Sequence, residues 1–158
     1  MTAKANFQTK YRTNQVAIHA GVVELAGDVW ETKQPTPNVL TGATTLTTDD
    51  SGKVFYLNAA AGANITLPAV ATSGGFKARF IVAAAFATTA WTITAATAKI
   101  QGGAIVNSVH VPAANESLIT FAFGAETVGD YIDLDCDGTN WYANGVAAAA
   151  GGITFTAP

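Results

Sequence analysis

The sequence is poor in charge and in cysteine. Only 12% of the 158 residues are charged, whereas ordinary domains carry about 25%. Eight basic and eleven acidic residues give a net charge of −3, so the chain lacks the basic stripe with which nucleic-acid-binding proteins neutralise phosphates. The single cysteine, Cys136, cannot form an internal disulfide. We therefore expect a protein that binds no nucleic acid and needs no disulfide framework.

Long apolar runs are also missing. No stretch approaches 18 consecutive apolar residues, and the N-terminal residues MTAKANFQTKYR contain no apolar core of a signal peptide. We expect synthesis in a cytoplasm and no membrane partner. A chain of 158 residues can bury roughly 70% of its unfolded surface, which is enough for one core without a structural metal.

Catalytic signatures are absent as well. The sequence contains neither the G-x-S-x-G nucleophile motif nor the phosphate-binding G-x-x-x-x-G-K-[ST] motif. His19 and His110 each stand alone, without a second histidine or cysteine at zinc-binding spacing. No third group is suggested that would orient a Cys136–His110 pair. We predict no catalytic residue, no cofactor and no enzymatic activity.

Alanine (32 residues) and threonine (22) dominate what is present, and short β-type segments alternate with turn residues from about residue 39 onward. In one of them Phe76, Ala78, Phe80 and Val82 alternate with charged or solvated positions, which predicts a half-buried antiparallel strand. The full series of predicted strands covers 54–58, 64–68, 76–83, 91–95, 99–111, 117–123, 131–136, 140–145 and 153–155.

These segments predict an all-β fold, an antiparallel β-sandwich or jelly-roll-like barrel, because no strand–helix–strand rhythm occurs. Residues 14–34 are interrupted by glycines and favour a short strand or two over a helix. Pro35 and Pro37 indicate an extended linker. We predict an N-terminal arm over residues 1–44 and a β-sandwich body over residues 45–158.

The predicted arm is basic at its N-terminal end. Residues 1–12 contain three basic residues and no acid, whereas no basic residue follows Lys99. One interpretation is an arm that docks on a neighbouring subunit or an acidic surface; a solvated terminus is the other, and both stay open. On the first interpretation the partner-binding residues are Lys4, Lys10 and Arg12 as charged contacts with Phe7, Tyr11, Val16 and Ile18 as apolar anchors.

A second candidate is a carboxylate run, Asp133, Asp135 and Asp137 followed by Gly138, which matches the first half of a calcium loop. The second half does not match, because its twelfth position is Asn144 instead of glutamate. A strand with Ile132, Leu134 and Cys136 turned inward explains the same spacing, with Asp137-Gly138 as a hairpin turn. We favour the strand and leave weak calcium binding at a subunit junction open.

Aromatic residues allow one further interpretation. Three tryptophans (Trp30, Trp91, Trp141) and three tyrosines (Tyr56, Tyr131, Tyr142) could form a platform on which sugars stack. Aromatics scattered one to a strand are more often core or interface residues, and we favour that interpretation.

The order of these features resembles small capsid decoration, or cement, proteins of tailed bacteriophages, and related β modules of tail fibres. The resemblance lies in Asp50-Ser51-Gly52-Lys53 before an aromatic strand, in Ile65-Thr66-Leu67-Pro68 and in Asp137-Gly138-Thr139-Asn140-Trp141. It covers roughly residues 45–158.

The resemblance implies a β-sandwich subunit, usually trimeric, that clamps neighbouring major capsid proteins and stabilises the phage head. It further implies a location on the outer surface of the virion capsid after assembly in the host cytoplasm. The alternative is a tail-fibre or receptor-binding tip that recognises host-surface glycans. A fibre tip is expected behind a repeated shaft, and the sequence contains no shaft repeat.

Overall fold

The structure, a computed structural model, describes residues 17–19, 22–25, 28–30 and 37–157. The chain divides into two compact units, Met1–Thr36 and Pro37–Pro158. In the first unit β1 (Ala17–His19), β2 (Val22–Leu25) and β3 (Asp28–Trp30) form an antiparallel sheet in the order β1-β2-β3. Short strands instead of a helix were predicted for this segment, and that prediction is confirmed.

The second unit, called the body here, is a sandwich of two sheets with two single-turn 3-10 helices, Thr48–Asp50 and Val70–Thr72. Its strands are β4 (Asn38–Leu40), β5 (Thr44–Thr45), β6 (Lys53–Leu57), β7 (Asn64–Thr66), β8 (Lys77–Val82), β9 (Trp91–Thr94), β10 (Ile100–Val106), β11 (Val109–Glu116), β12 (Leu118–Phe121), β13 (Tyr131–Cys136), β14 (Trp141–Ala147) and β15 (Ile153–Thr156).

The strand order is β11-β10-β14-β13-β8-β6-β4 in the seven-stranded sheet and β15-β12-β9-β7-β5 in the five-stranded sheet. The predicted all-β sandwich is therefore confirmed. The body begins at Pro37, earlier than residue 45, because β4 and β5 already pair within its sheets.

The sheets are mixed, which corrects the expectation of an antiparallel, jelly-roll-like arrangement. From β4 to β9 the chain alternates between the two sheets, so that β4, β6 and β8 lie parallel in one sheet and β5, β7 and β9 lie parallel in the other. Two neighbouring parallel strands need a connection that runs back from the end of one to the start of the next. Here each such connection includes a strand of the opposite sheet. Alternation within single strands does not reveal this pairing.

The β13–β14 hairpin completes the larger sheet. It pairs antiparallel with β8 on one side and parallel with β10 on the other. Strands β10 and β11 form a second hairpin at the sheet edge, joined through Asn107 and Ser108.

The core lies between the sheets and follows the period-two pattern of the strands. Strand β14 alternates strictly, with Trp141, Ala143 and Ala147 buried and the residues between them exposed. Trp141 packs edge-on against Phe76, with ring centroids 5.4 Å apart, and Phe55 stacks on Phe80 at 5.2 Å. In the described part of the chain no helix is long and apolar enough to cross a membrane.

Candidate interaction surface

The outer face of the seven-stranded sheet carries one continuous line of apolar side chains. Strand register places one member on each of six neighbouring strands, and each is opposite the next. We call this line the apolar row. Its members, in spatial order, are Val39, Tyr56, Ile81, Tyr131, Val146 and Ile105.

The apolar row reaches solvent. Val39 is 47% exposed, Ile105 43% and Val146 41%. At a strand spacing of about 4.8 Å, six strands extend the row over roughly 25 Å. His110 on β11 lies opposite Ile105 and continues the row to the sheet edge. Contiguous apolar surface of this kind indicates a contact site.

The same end of the sheet continues with uncharged residues beyond the row. Val109 and Val128 are 63% and 62% exposed there, and Ala83 and Ala148 follow β8 and β14. Two carboxylates also lie at this end, and both accept backbone hydrogen bonds.

The two carboxylates at this end of the body accept hydrogen bonds from backbone N–H groups. Asp130 is buried, and its oxygens accept hydrogen bonds from the N–H groups of Ala148 (2.9 Å) and Thr127 (2.8 Å). Glu126 accepts from the N–H groups of Phe86 (2.7 Å) and Gly124 (2.6 Å). Burial opposes ionisation of Glu126, but these backbone hydrogen bonds outweigh it and leave its pKa below the usual value.

The remaining charged side chains of residues 37–157 lie on the other side of the apolar row, towards the opposite end of the sheet. This follows from strand direction, because they precede the row members on β6, β8 and β10, follow them on β13, or lie at the far end of β11 or next to these strand ends. They are Asp49, Asp50, Lys53, Lys77, Arg79, Lys99, Glu116, Asp133, Asp135 and Asp137.

Two of the three carboxylates considered as calcium ligands form cross-strand ion pairs. Arg79 binds Asp133 through two hydrogen bonds of 2.6 Å, and its guanidinium lies 4.7 Å from the centre of the Tyr131 ring. Lys77 Nζ lies 2.6 Å from Asp135 Oδ1. The hydrogen bonds to these carboxylates raise the pKa of Lys77 and of Arg79. Each carboxylate therefore already has a cation of the protein beside it.

Asp137, the third candidate, holds the hairpin turn. Its Oδ1 accepts hydrogen bonds from the N–H groups of Asn140 and Thr139, both at 2.7 Å, and Tyr142 donates its hydroxyl to Oδ2 at 3.0 Å. These contacts lower the pKa of Asp137. Strand β14 begins at Trp141, one residue after the start of the strand predicted over 140–145. Within the described residues no cluster of three or more metal-ligating side chains is present.

Cys136 is buried, as its strand position predicted. Burial raises the pKa of its thiol, which makes the thiolate scarce at neutral pH. His110 pairs with Ile105 at one end of β10, whereas Cys136 aligns through Trp141 with Ile100 at the other end. The structure therefore separates the one thiol from the histidine of the body.

The aromatic residues divide between the core and the outer face. Trp91 and Trp141 are fully buried and cannot stack on a sugar, while the Trp30 side chain lies outside the described residues. All three tyrosines, Tyr56, Tyr131 and Tyr142, lie on the outer face of the seven-stranded sheet.

No protein-family model, curated protein or solved structure matches this chain.

Of the seven arm residues predicted to bind a partner, one lies in the described part of the chain. Lys4, Phe7, Lys10, Tyr11, Arg12 and Val16 lie outside the described residues. Ile18 lies on β1, of which the backbone alone is described. Their role in partner binding stays a prediction.

Sequence reasoning missed the apolar row. Its members are far apart in the chain, and only the register between strands brings them into line. One local signal existed: the apolar residue Ile81 follows Lys77 and Arg79 on the solvated face of β8.

Proposed function

We propose that this chain is a non-enzymatic structural protein of a tailed-bacteriophage virion, a decoration protein on the outer surface of the capsid. Its partners are the major capsid protein and further copies of itself, with a homotrimer as the unit that binds. The resemblance of residues 45–158 supports the virion setting, and the surface chemistry of the body supports a role in protein packing.

One observation carries the packing role: charged side chains of the body are largely satisfied by contacts inside it. Arg79, Lys77 and Lys53 pair with Asp133, Asp135 and Asp50, and Lys53 lies 2.6 Å from its partner. Interface centres are depleted in charge and enriched in tyrosine. A body with few free charges loses little on desolvation, so it suits a subunit packed against others.

The proposed mechanism is stabilisation by selective binding. A protein that binds the assembled shell, and not its dissociated subunits, stabilises the shell by RT ln(1 + [L]/Kd) at each site. Many symmetric sites multiply a small free energy into a large resistance to disassembly. This mechanism needs no reacting group on the protein.

Co-sedimentation tests the proposal. The purified full chain is mixed with capsid shells that lack it, and the pelleted amount is measured against total protein. We expect saturation at a fixed copy number per shell, with an unrelated β-sandwich protein of similar size as control. Failure to pellet with shells at any concentration would overturn the decoration role.

A second candidate function is recognition of host-surface glycans, as in a receptor-binding tip. The observation in its favour is the presence of three tyrosines on one sheet face, of which Tyr142 is 45% exposed. Aromatic faces can stack on sugar rings. Binding to bacterial surface polysaccharide that a Tyr142→Ala variant loses, without binding to shells, would favour this function.

A further inference from the structure

The β10–β11 hairpin holds an exposed asparagine next to a free backbone amide. Asn107 and Ser108 form the loop between the paired residues Val106 and Val109, and both loop residues are exposed with positive φ. Asn107 donates its N–H to Ala147 O at 2.9 Å, whereas the N–H of Ser108 donates no hydrogen bond within residues 37–157. The Ser108 nitrogen therefore lies outside the hydrogen-bond ladder of the strands.

We propose that Asn107 is a site of spontaneous deamidation, which converts its neutral amide into a carboxylate at the tip of the hairpin. The backbone nitrogen of Ser108 loses its proton to solvent base and attacks Cγ of Asn107, so that a new C–N bond forms. The bond from Cγ to the side-chain nitrogen then breaks, and that nitrogen takes up a proton and leaves as ammonia. Water opens the resulting cyclic imide, and the product is aspartate or isoaspartate.

The hairpin favours this attack in two ways. The side chain of Ser108 is small and leaves the attacking nitrogen accessible. The turn must also open for the Asn107 side chain to reach that nitrogen, and exposed loop tips open at low free energy. Strand β11 is the edge strand of its sheet, so opening at this tip disturbs one strand pair only. The left-handed conformation of Ser108, which its Cβ atom disfavours, makes opening easier still.

The sequence alone points to a different asparagine. Asn144 precedes Gly145, and a glycine hinders the attacking nitrogen least because it has no Cβ atom. In the structure Gly145 pairs with Ala104 on one side and with Ile132 on the other. A Cβ atom at Gly145 would lie 2.5 Å from Tyr131 O, so backbone atoms enclose the peptide that would have to rotate. The fold therefore protects the dipeptide that is most reactive in an unfolded chain.

The other described asparagines are less suited to the reaction. Asn115 has its Oδ1 bound by Gln101 Nε2 at 2.7 Å, and a glutamate follows it. Asn58 precedes Ala59, which is held in place because its carbonyl accepts a hydrogen bond from the Trp91 ring. Bulky residues follow the remaining three, Asn38, Asn64 and Asn140.

Deamidation changes the surface beside the apolar row. Ile105, the last member of the row, lies two residues before Asn107, and the 63% exposed Val109 lies two residues after it. The product places a negative charge between these apolar residues in the chain. Isoaspartate also adds a carbon atom to the backbone of the loop. The surface of the hairpin tip therefore changes as the protein ages.

Peptide mass mapping of the aged full chain tests the proposal. The purified chain is held at mildly alkaline pH, folded in buffer or unfolded in guanidinium chloride, and the deamidated fraction at each site is measured over time. Trypsin does not separate the sites, because no basic residue follows Lys99. Cleavage after Glu116 places Asn107 and Asn144 in different peptides, and fragmentation distinguishes Asn107 from Asn115. A sample digested at time zero corrects for deamidation during digestion.

In the folded chain we expect Asn107 to deamidate at least about 100-fold faster than Asn144, because a central strand frees its amides only on near-global opening. In denaturant the order should reverse. Asn107→Gly keeps the positive φ of the turn and should abolish the fast reaction. Asn144→Gln is the matched control, and it should leave the rate at Asn107 unchanged.

The same order of rates in the folded and unfolded chains would overturn the inference. It would also fail if Asn107 kept its amide in the folded chain for as long as Asn144 does. The rate at Asn107 should rise with pH, because the attacking nitrogen must first lose its proton, and a rate independent of pH would contradict the mechanism. The inference stands apart from the proposed function, since neither a shell nor a second copy takes part in the reaction.

Discussion

Several carboxylates of the body stabilise the turns in which they lie. Asp50 accepts a hydrogen bond from Lys53 and a second from the N–H of Thr47 at 2.8 Å, and the Lys53 contact is the main reason why its pKa is lowered. Asp137 and Glu126 have lowered pKa values for a related reason, since they accept backbone hydrogen bonds that favour the ionised form. Protonation therefore weakens the turns that these residues hold.

Acid should destabilise the body through these groups. A carboxylate whose pKa is lower when folded contributes stability above its unfolded pKa, near 4, and loses it as pH falls through the folded pKa. We expect the unfolding temperature to be constant from pH 7 to about pH 5 and to fall steadily below about pH 4. Thermal unfolding across this pH range measures the effect. The unfolding temperature of the Glu126→Gln variant should fall less steeply with decreasing pH. Undiminished stability at pH 3 would contradict the prediction.

Calcium should have no effect on stability. Asp133 and Asp135 are already paired with Arg79 and Lys77, and Asp137 is engaged by its own turn. We expect millimolar calcium to leave the unfolding temperature of the chain unchanged, with magnesium as the control cation. A rise specific to calcium, abolished by Asp133→Asn, would establish the metal site that the sequence spacing suggested.

At the scale of elements, the β10–β11 hairpin turns on two residues in left-handed conformation. Asn107 has φ of 48° and Ser108 has φ of 64°. A two-residue loop between paired Val106 and Val109 needs positive φ at both positions, for which Asn-Gly is the preferred sequence. Serine is strained there by its Cβ atom.

Ser108→Gly should therefore stabilise the hairpin. We expect the free energy of unfolding to rise by about 0.5–1 kcal/mol, since relief of the strain exceeds the added freedom of the unfolded chain. Urea unfolding measures the difference. Ser108→Ala retains the Cβ atom and serves as the control without gain. An equal gain in both variants would show that the backbone strain is not the cause.

The strands themselves could be predicted from sequence, but their partners could not. Alternation fixes which side chains of β8 and β14 face the core, and turn residues mark where strands end. Pairing of β10 with β14, or of β6 with β8, depends on the whole core and leaves no local pattern. The short strands β4 and β5 were missed, because three and two residues carry too little alternation to recognise.

The candidate interaction surface could likewise be predicted from sequence only in part. Its burial pattern could be inferred strand by strand, and the aspartates of β13 were placed on the solvated face correctly. The apolar row required the register of six strands at once. Its discovery depends on the three-dimensional structure for that reason.

At the scale of the whole molecule, the division into two units predicts separable roles. Deleting residues 1–14 should leave the body folded, because the body, Pro37–Pro158, is a compact unit by itself. We expect an unchanged unfolding temperature and weaker attachment to capsid shells, since Lys4, Lys10 and Arg12 are lost. Co-sedimentation of both chains measures attachment. Undiminished occupancy of shells by the shortened chain would refute a docking role of the arm.

The insertion of β13 and β14 between β8 and β10 has a consequence for synthesis on the ribosome. The central strands of the larger sheet are made late, after both of their neighbours. Until residue 147 has emerged, β8 and β10 each have one unpaired edge that is exposed to solvent. Nascent chains stalled before that point are therefore the form most prone to mispair with one another, and aggregation during expression should concentrate in products that end before β14.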